Sequence, residues 1–339
     1  MPHRKVIRSW LAPISRRNTA HALLLVLVDV LLFVACIAAT LLVSNPLLQV
    51  LCGLASGLVI SRLFILGHDA CHQSFTRHRW LNRLVGRIVF LPSLTPYSLW
   101  EVGHNVVHHG YTNLKGFDFV WQPLSLAEYR ALPPWRRMLE RVYRSGWAPW
   151  LYYLVEVWWH RMMFPSREVM PARRAVFTWD CLLASAFALA WVAGLVVFAQ
   201  ATGASAWWLV TVAFVIPFLF WNGMIGFVVY VHHTHADVSW YQDKASWAAS
   251  QPFVSTTVHL TFASVMGSVL HHIMEHTAHH VDMGVPLYRL KAAQALLEER
   301  LKGCIVVQPF SWRWYRDTAR LCKLYDFEAR RWTDYAGRA

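Results

Sequence analysis

The sequence predicts an all-α integral-membrane protein: four transmembrane helices in two hairpins, with a cytoplasmic helical cap that carries a histidine-rich metal site. Three observations lead there. Of 339 residues 56% are hydrophobic, yet 32 are Lys or Arg, so apolar and basic residues alternate in blocks, as where membrane spans are joined by basic segments. Nineteen Trp are present, many beside the apolar blocks (Trp100, Trp158, Trp159, Trp179, Trp207, Trp208, Trp221), where an interfacial aromatic belt accounts for them. Finally, 18 His are present, and most gather in short clusters next to apolar runs.

Residues 20–43 form a nearly continuous apolar run broken only by Asp29, long enough to cross a core of about 30 Å. The basic N-terminus before it (Arg4, Lys5, Arg8, Arg16, Arg17) resembles a signal peptide, but the run is too long for one and reads as a first anchor. A Ser-Asn-Pro turn at 44–46 sends the chain back through a second span, 46–67, in which Gly53 and Gly57 permit close helix packing. Residues 83–100 are apolar but interrupted by Pro92 and Pro96, which suits an interfacial element. A third span, 176–199, and a fourth, 206–231, follow a basic extramembrane stretch. Residues 253–270 read as a second interfacial element, and the tail from Ser311, with Trp312, Trp314, Tyr315 and Trp332 among basic residues, as a surface-lying one.

The turns at 44–46 and 200–205 contain no Lys or Arg, so the positive-inside rule places 1–19, 68–175 and 232–339 in the cytoplasm, with both termini. The whole of 1–339 is expected to be one membrane domain. The net charge of +13 then faces anionic lipid headgroups, not nucleic acid. The six cysteines form no CxxC pair and imply neither a disulfide framework nor an iron–sulfur cluster.

Four histidine groups carry the chemistry: His68/His72, His104/His108/His109, His232/His233/His235 and His276/His279/His280. On a helix, residues four apart share a face, so His68/His72, His104/His108 and His276/His280 can each present two imidazoles to one metal region. Adjacent histidines diverge by about 100°, so His108/His109 and His279/His280 suit two neighbouring ions. A dinuclear centre follows. Imidazole alone leaves iron, zinc, copper and nickel open. His272, four residues before His276, is ambiguous; Glu101, Glu275 and Asn105 are candidates to orient an imidazole or bridge to it through water.

His68-Asp-Ala-Cys-His72, His104-Asn-Val-Val-His108-His109 and His276-Thr-Ala-His279-His280 look like the three histidine boxes of membrane fatty-acid desaturases, and the four-span layout resembles that superfamily over most of the chain. With the His-Thr-His after the fourth span and Pro286-Leu287-Tyr288 after the third box, the likeness is to acyl-lipid desaturases of the delta-12 or omega-6 type. The resemblance implies two iron ions held by His68, His72, His104, His108, His109, His276, His279 and His280, with a further ligand from His233 or His235. It implies O2-dependent formation of a C=C bond in a fatty acyl lipid, in a bacterial-type inner membrane with a cytoplasmic active site.

One departure stands out: the second box is usually HxxHH and here is HxxxHH, a spacing that also resembles alkane hydroxylases. Hydroxylase or acetylenase chemistry at the same iron pair is therefore the alternative outcome. Alternatives of other classes are a histidine-rich metal transporter and a metallohydrolase with Glu101 or Glu275 as base. The sequence holds no haem, flavin or nicotinamide motif, so electrons are expected from a separate ferredoxin or cytochrome b5-like protein, with Arg136, Arg137, Arg141 and Arg144 as its docking charge.

Overall fold

A computed structural model describes residues 1–263 and 265–339 and is mostly helical. In chain order the elements that matter here are α1 (Arg4–Leu11), α2 (Thr19–Leu42), α3 (Pro46–Cys71), α4 (Arg79–Phe90), α5 (Ala175–Thr202), α6 (Ala206–His233), β1 (Val258–Thr261), α7 (His276–Val281), α8 (Leu290–Arg300), β2 (Val306–Pro309), α9 (Trp312–Leu321), β3 (Leu324–Asp326) and β4 (Arg331–Thr333). Among the described residues, α2, α3, α5 and α6 are long and apolar enough to cross a membrane. They match the four expected spans, except that α3 continues one turn beyond residue 67, to Cys71. The chain divides into two compact units.

The first unit, residues 17–101 and 158–225, contains α2 to α5 and most of α6. Asn18 and Asn45 cap α2 and α3 by accepting from backbone N–H groups, and Pro46 opens α3, where its missing N–H costs nothing. Asp29, the one acid of α2, is fully buried and ion-paired with Arg62 of α3 at 2.6 Å. Gly53 and Gly57 do provide close approach: a Cβ on Gly53 would lie 2.4 Å from the Val212 carbonyl oxygen and one on Gly57 2.6 Å from Phe220 Cβ. The apolar stretch at 83–100 resolves into α4, a 3-10 turn and a short helix at Tyr97–Trp100; α4 exposes Trp80, Leu84 and Ile88.

The aromatic belt is narrower than expected. Trp179 and Trp207 are exposed, but Trp100 and Trp221 are buried around Phe64, at ring separations of 4.9 and 5.4 Å. They fill the core instead of marking the interface.

The second unit, residues 1–16, 102–157 and 226–339, is built from short helices and two small sheets. β1 pairs in parallel with β2, and β3 antiparallel with β4. The stretch 253–270, of which residue 264 lies outside the described residues, contains β1, which alternates in burial so that Val258 and Leu260 enter the core of this unit. Trp332, expected at the surface, packs with Trp240, Cys322 and Tyr325, whereas Trp312 on α9 is exposed as foreseen.

Candidate metal centre

His104, His108 and His109 lie on a helical turn whose winding is unusual. Glu101–His108 is a π-helix, and the His109 N–H donates to the His104 carbonyl five residues back at 2.9 Å. Such a turn takes one residue more than an α-turn, so positions five apart come onto one side. The side chains follow: His104 Nε2 and His109 Nε2 are 3.0 Å apart, while His108 joins a different group. The expectation that His104 and His108 face one metal region assumed α-helical winding and is corrected by the π-turn.

The third cluster is carried by α7, six residues long. Its Nε2 atoms divide as expected: His276 and His280 are 3.0 Å apart, and His279 turns away to lie 3.0 Å from His109 Nε2. His233, the last residue of α6, brings its Nε2 to 3.1 Å from that of His276. The second unit thus holds one group of three imidazoles, His104, His109 and His279, and one of four, His108, His233, His276 and His280, all buried. In the first unit, His68 on the last turn of α3 and His72 at its cap have their Nε2 atoms 3.4 Å apart.

The other ring nitrogen is held by the protein in three cases. His108 Nδ1 meets Asp118 Oδ1 at 2.9 Å, His280 Nδ1 meets the Thr112 hydroxyl at 3.2 Å, and His233 Nδ1 meets the Thr256 carbonyl at 3.3 Å. Since Thr112 Oγ donates to the His108 carbonyl, all three contacts fit Nδ1–H tautomers that leave Nε2 as a lone-pair donor. Burial, then the crowding of neighbouring imidazoles, holds the pKa of His276 and His280 well below the ordinary histidine value. Burial pushes the Asp118 carboxyl up, but His108, His233 and the Asn113 N–H outweigh it and hold the group below the ordinary carboxylate range.

This donor set fits metal ions. Two ligands about 2.1 Å from one ion at about 90° lie about 3.0 Å apart, which is the spacing seen here. His109 Nε2 also has two such neighbours, and so does His276 Nε2; one ring N–H cannot serve both, whereas a cation can.

α7 is too short to be stable alone. Gln294 of α8 accepts from the Ala278 N–H at 2.8 Å, while Arg4 of α1 donates to the carbonyls of His280 and Val281 at 2.8 and 3.1 Å, and Arg8 pairs with Asp282. Arginine at a helix C-terminus satisfies its open carbonyls and suits its dipole.

Other expected residues lie elsewhere. Both ring nitrogens of His235 are engaged, Nε2 near Gln308 Oε1 and Nδ1 accepting from the Asp237 N–H, and it joins neither group. His232 stacks on His276 with ring centroids 3.9 Å apart. Glu101 accepts from Gln73, Glu275 pairs with His272 at 3.0 Å, and Asn105 lies half-buried on the π-turn. Asp118, Thr112, Thr256 and Arg4 were not anticipated. Asp118 left one trace, a lone acid inside Phe117-Asp-Phe119 ten residues after His108.

A family model described as "Fatty acid desaturase" matches residues 44–311. The chain belongs to the fatty acid desaturase family. An sn-1 oleoyl-lipid 12-desaturase of Picosynechococcus sp. is 28% identical over 276 residues, 80% of this chain and 76% of that one. Its counterpart in Synechocystis sp. is 27% identical over 275 residues, 80% and 75% of the two chains. A chloroplastic omega-6 fatty acid desaturase of Arabidopsis thaliana is 29% identical over 278 residues, 80% of this chain and 58% of that protein. As a member of this family the chain is an integral-membrane oxidoreductase, and neither transport nor hydrolysis is favoured.

Proposed function

We propose that the protein inserts a double bond into the acyl chain of a membrane lipid, using two iron ions and O2. The observation that carries this is the convergence of seven buried imidazoles, as a group of three and a group of four, in a chain of the desaturase family. His104, His109 and His279 would hold one ion and His108, His233, His276 and His280 the other; His68 and His72 are ligands by the resemblance of the first histidine box. The resemblance to the first histidine box and the 3.4 Å approach of their Nε2 atoms support the roles of His68 and His72. His233, not His235, is the ligand after the fourth span.

The reaction balances as R–CH2–CH2–R′ + O2 + 2 e⁻ + 2 H⁺ → R–CH=CH–R′ + 2 H2O. When bound, the iron pair supplies O2 activation and the oxidising power. The residues of the chain supply the rest: Asp118, Thr112 and Thr256 hold three imidazoles in one tautomer and orientation, and the burial of the rings excludes water that would quench an oxidant. The seven imidazoles would hold the two ions without adding negative charge of their own.

The four spans act as two hairpins turning at 43–45 and 203–205, neither of which contains Lys or Arg; the histidines and both termini then lie on the cytoplasmic side of a bacterial-type inner membrane. On this view the two units work as one membrane domain. The names of the relatives make an oleoyl chain the first substrate to test, and a small ferredoxin or cytochrome b5-like protein would deliver the electrons.

Expression in a host that makes saturated and monounsaturated acids only, grown under 18-O2, tests the proposal. A new double bond located by mass spectrometry, with no label in the lipid, is expected. Label retained in the acyl chain points to the hydroxylase outcome, and an unchanged profile with a metal-loaded protein overturns the proposal.

A further inference from the structure

Resting on the desaturase reading, each double bond requires two electrons from another protein, and the histidine groups they must reach are buried. The arginines that the sequence offers to an acidic carrier are largely used inside the second unit. Arg136 pairs with Glu140 and Glu156, Arg144 is buried against Glu140 and the Gln122 carbonyl, and Arg141 donates to the Tyr129 hydroxyl. A different face of the same unit leads inward.

Trp247, on a short helix at Lys244–Ser250, donates its indole N–H to the Thr112 carbonyl at 2.9 Å. The Thr112 hydroxyl in turn lies 3.2 Å from His280 Nδ1. Two polar contacts thus join a partly exposed indole to a proposed metal ligand. Outward, the Trp247 ring is 5.9 Å from Tyr111, which stacks at 4.8 Å on Phe117, itself 47% exposed. The Lys244 ammonium lies over both rings, 5.2 Å from Tyr111 and 5.9 Å from Phe117, and the Arg330 guanidinium lies over Tyr241, whose N–H donates to the Asn113 carbonyl.

We propose that this face is the docking surface for an acidic one-electron carrier protein, with Trp247 and Thr112 as the inward route to His280. Aromatic side chains rimmed by cations suit a transient interface, and Lys244 and Arg330 supply a charge complementary to an acidic partner. Asp243 beside them caps its own helix, accepting from the Ala245 and Ser246 N–H groups. In each encounter the carrier is oxidised by one electron and the metal pair reduced by one, with no bond made or broken; two encounters supply one turnover.

The test uses the full-length protein in detergent and a plant-type [2Fe–2S] ferredoxin as probe. Lys244→Glu should weaken ferredoxin binding about tenfold at low salt and flatten its salt dependence, in metal-loaded and metal-free protein alike, whereas Arg313→Glu on α9 should not. Trp247→Phe should leave affinity within about twofold yet slow reduction by ferredoxin about tenfold, with reduction by dithionite unchanged. Wild-type affinity in Lys244→Glu, equal weakening by Arg313→Glu, or slowing by Trp247→Phe with both reductants would overturn the proposal. Failure of the desaturase reading shows differently: no desaturated lipid with either reductant, whatever the binding data.

Discussion

The second and third histidine clusters perform the same task with different helices. In α7 the outer pair, His276 and His280, shares one group and His279 turns to the other, as α-helical winding at four-residue spacing dictates. In the second cluster the outer pair, His104 and His109, again shares one group and His108 turns to the other, but the pair is five residues apart. The π-turn absorbs the extra residue, so an atypical HxxxHH spacing gives the same division of ligands as HxxHH. What the two clusters have in common is the placement of nitrogens, and backbone winding adjusts to it.

The comparison breaks most severely if a residue is added where the helix cannot absorb it. Inserting Ala after Ala278 in α7, buried and held at both ends, should cost both metal ions and more than about 100-fold in activity, read by metal analysis and product formation. Asp118→Ala removes the partner of His108 and should weaken metal binding about 10–100-fold, seen in a chelator competition at constant membrane insertion. Arg4→Ala leaves two α7 carbonyls without their donor; metal content should fall about threefold, and Arg4→Lys, lacking the paired N–H groups, should restore only part of it. Deleting Val106, exposed on the π-turn, is the mildest change: it restores HxxHH spacing, and metal content should stay within about twofold of wild type. Loss of metal as complete as in the α7 insertion would refute the equivalence of the two clusters.

The four spans were legible because burial in lipid demands long apolar runs, and the pairing of His276 with His280 because α-helical period is regular. The π-turn was not: one inserted residue alters winding through the site it must serve, and the sequence shows only the spacing. Thr256 and Arg4 escaped because their partners lie 23 and up to 277 residues away in the chain, and Asp118, though ten residues from His108, because the loop between them sets its direction and follows no helical period. The strand at Val258–Thr261 was overlooked because its four residues sit inside a longer apolar run, although the alternation Val-His-Leu-Thr was a strand signal. Trp100 and Trp221 misled because Trp suits both an interface and a core.

The Asp29–Arg62 pair bears on how the first two spans hold together. A lone Asp in the middle of α2 would cost about 3 kcal/mol to place in a membrane, a cost that falls once Arg62 arrives alongside. The docking of α3 on α2 is therefore the step that neutralises Asp29. The pair is thus a latch between the first two spans: Arg62→Leu would leave Asp29 buried without its partner and loosen α2 from α3 inside the membrane.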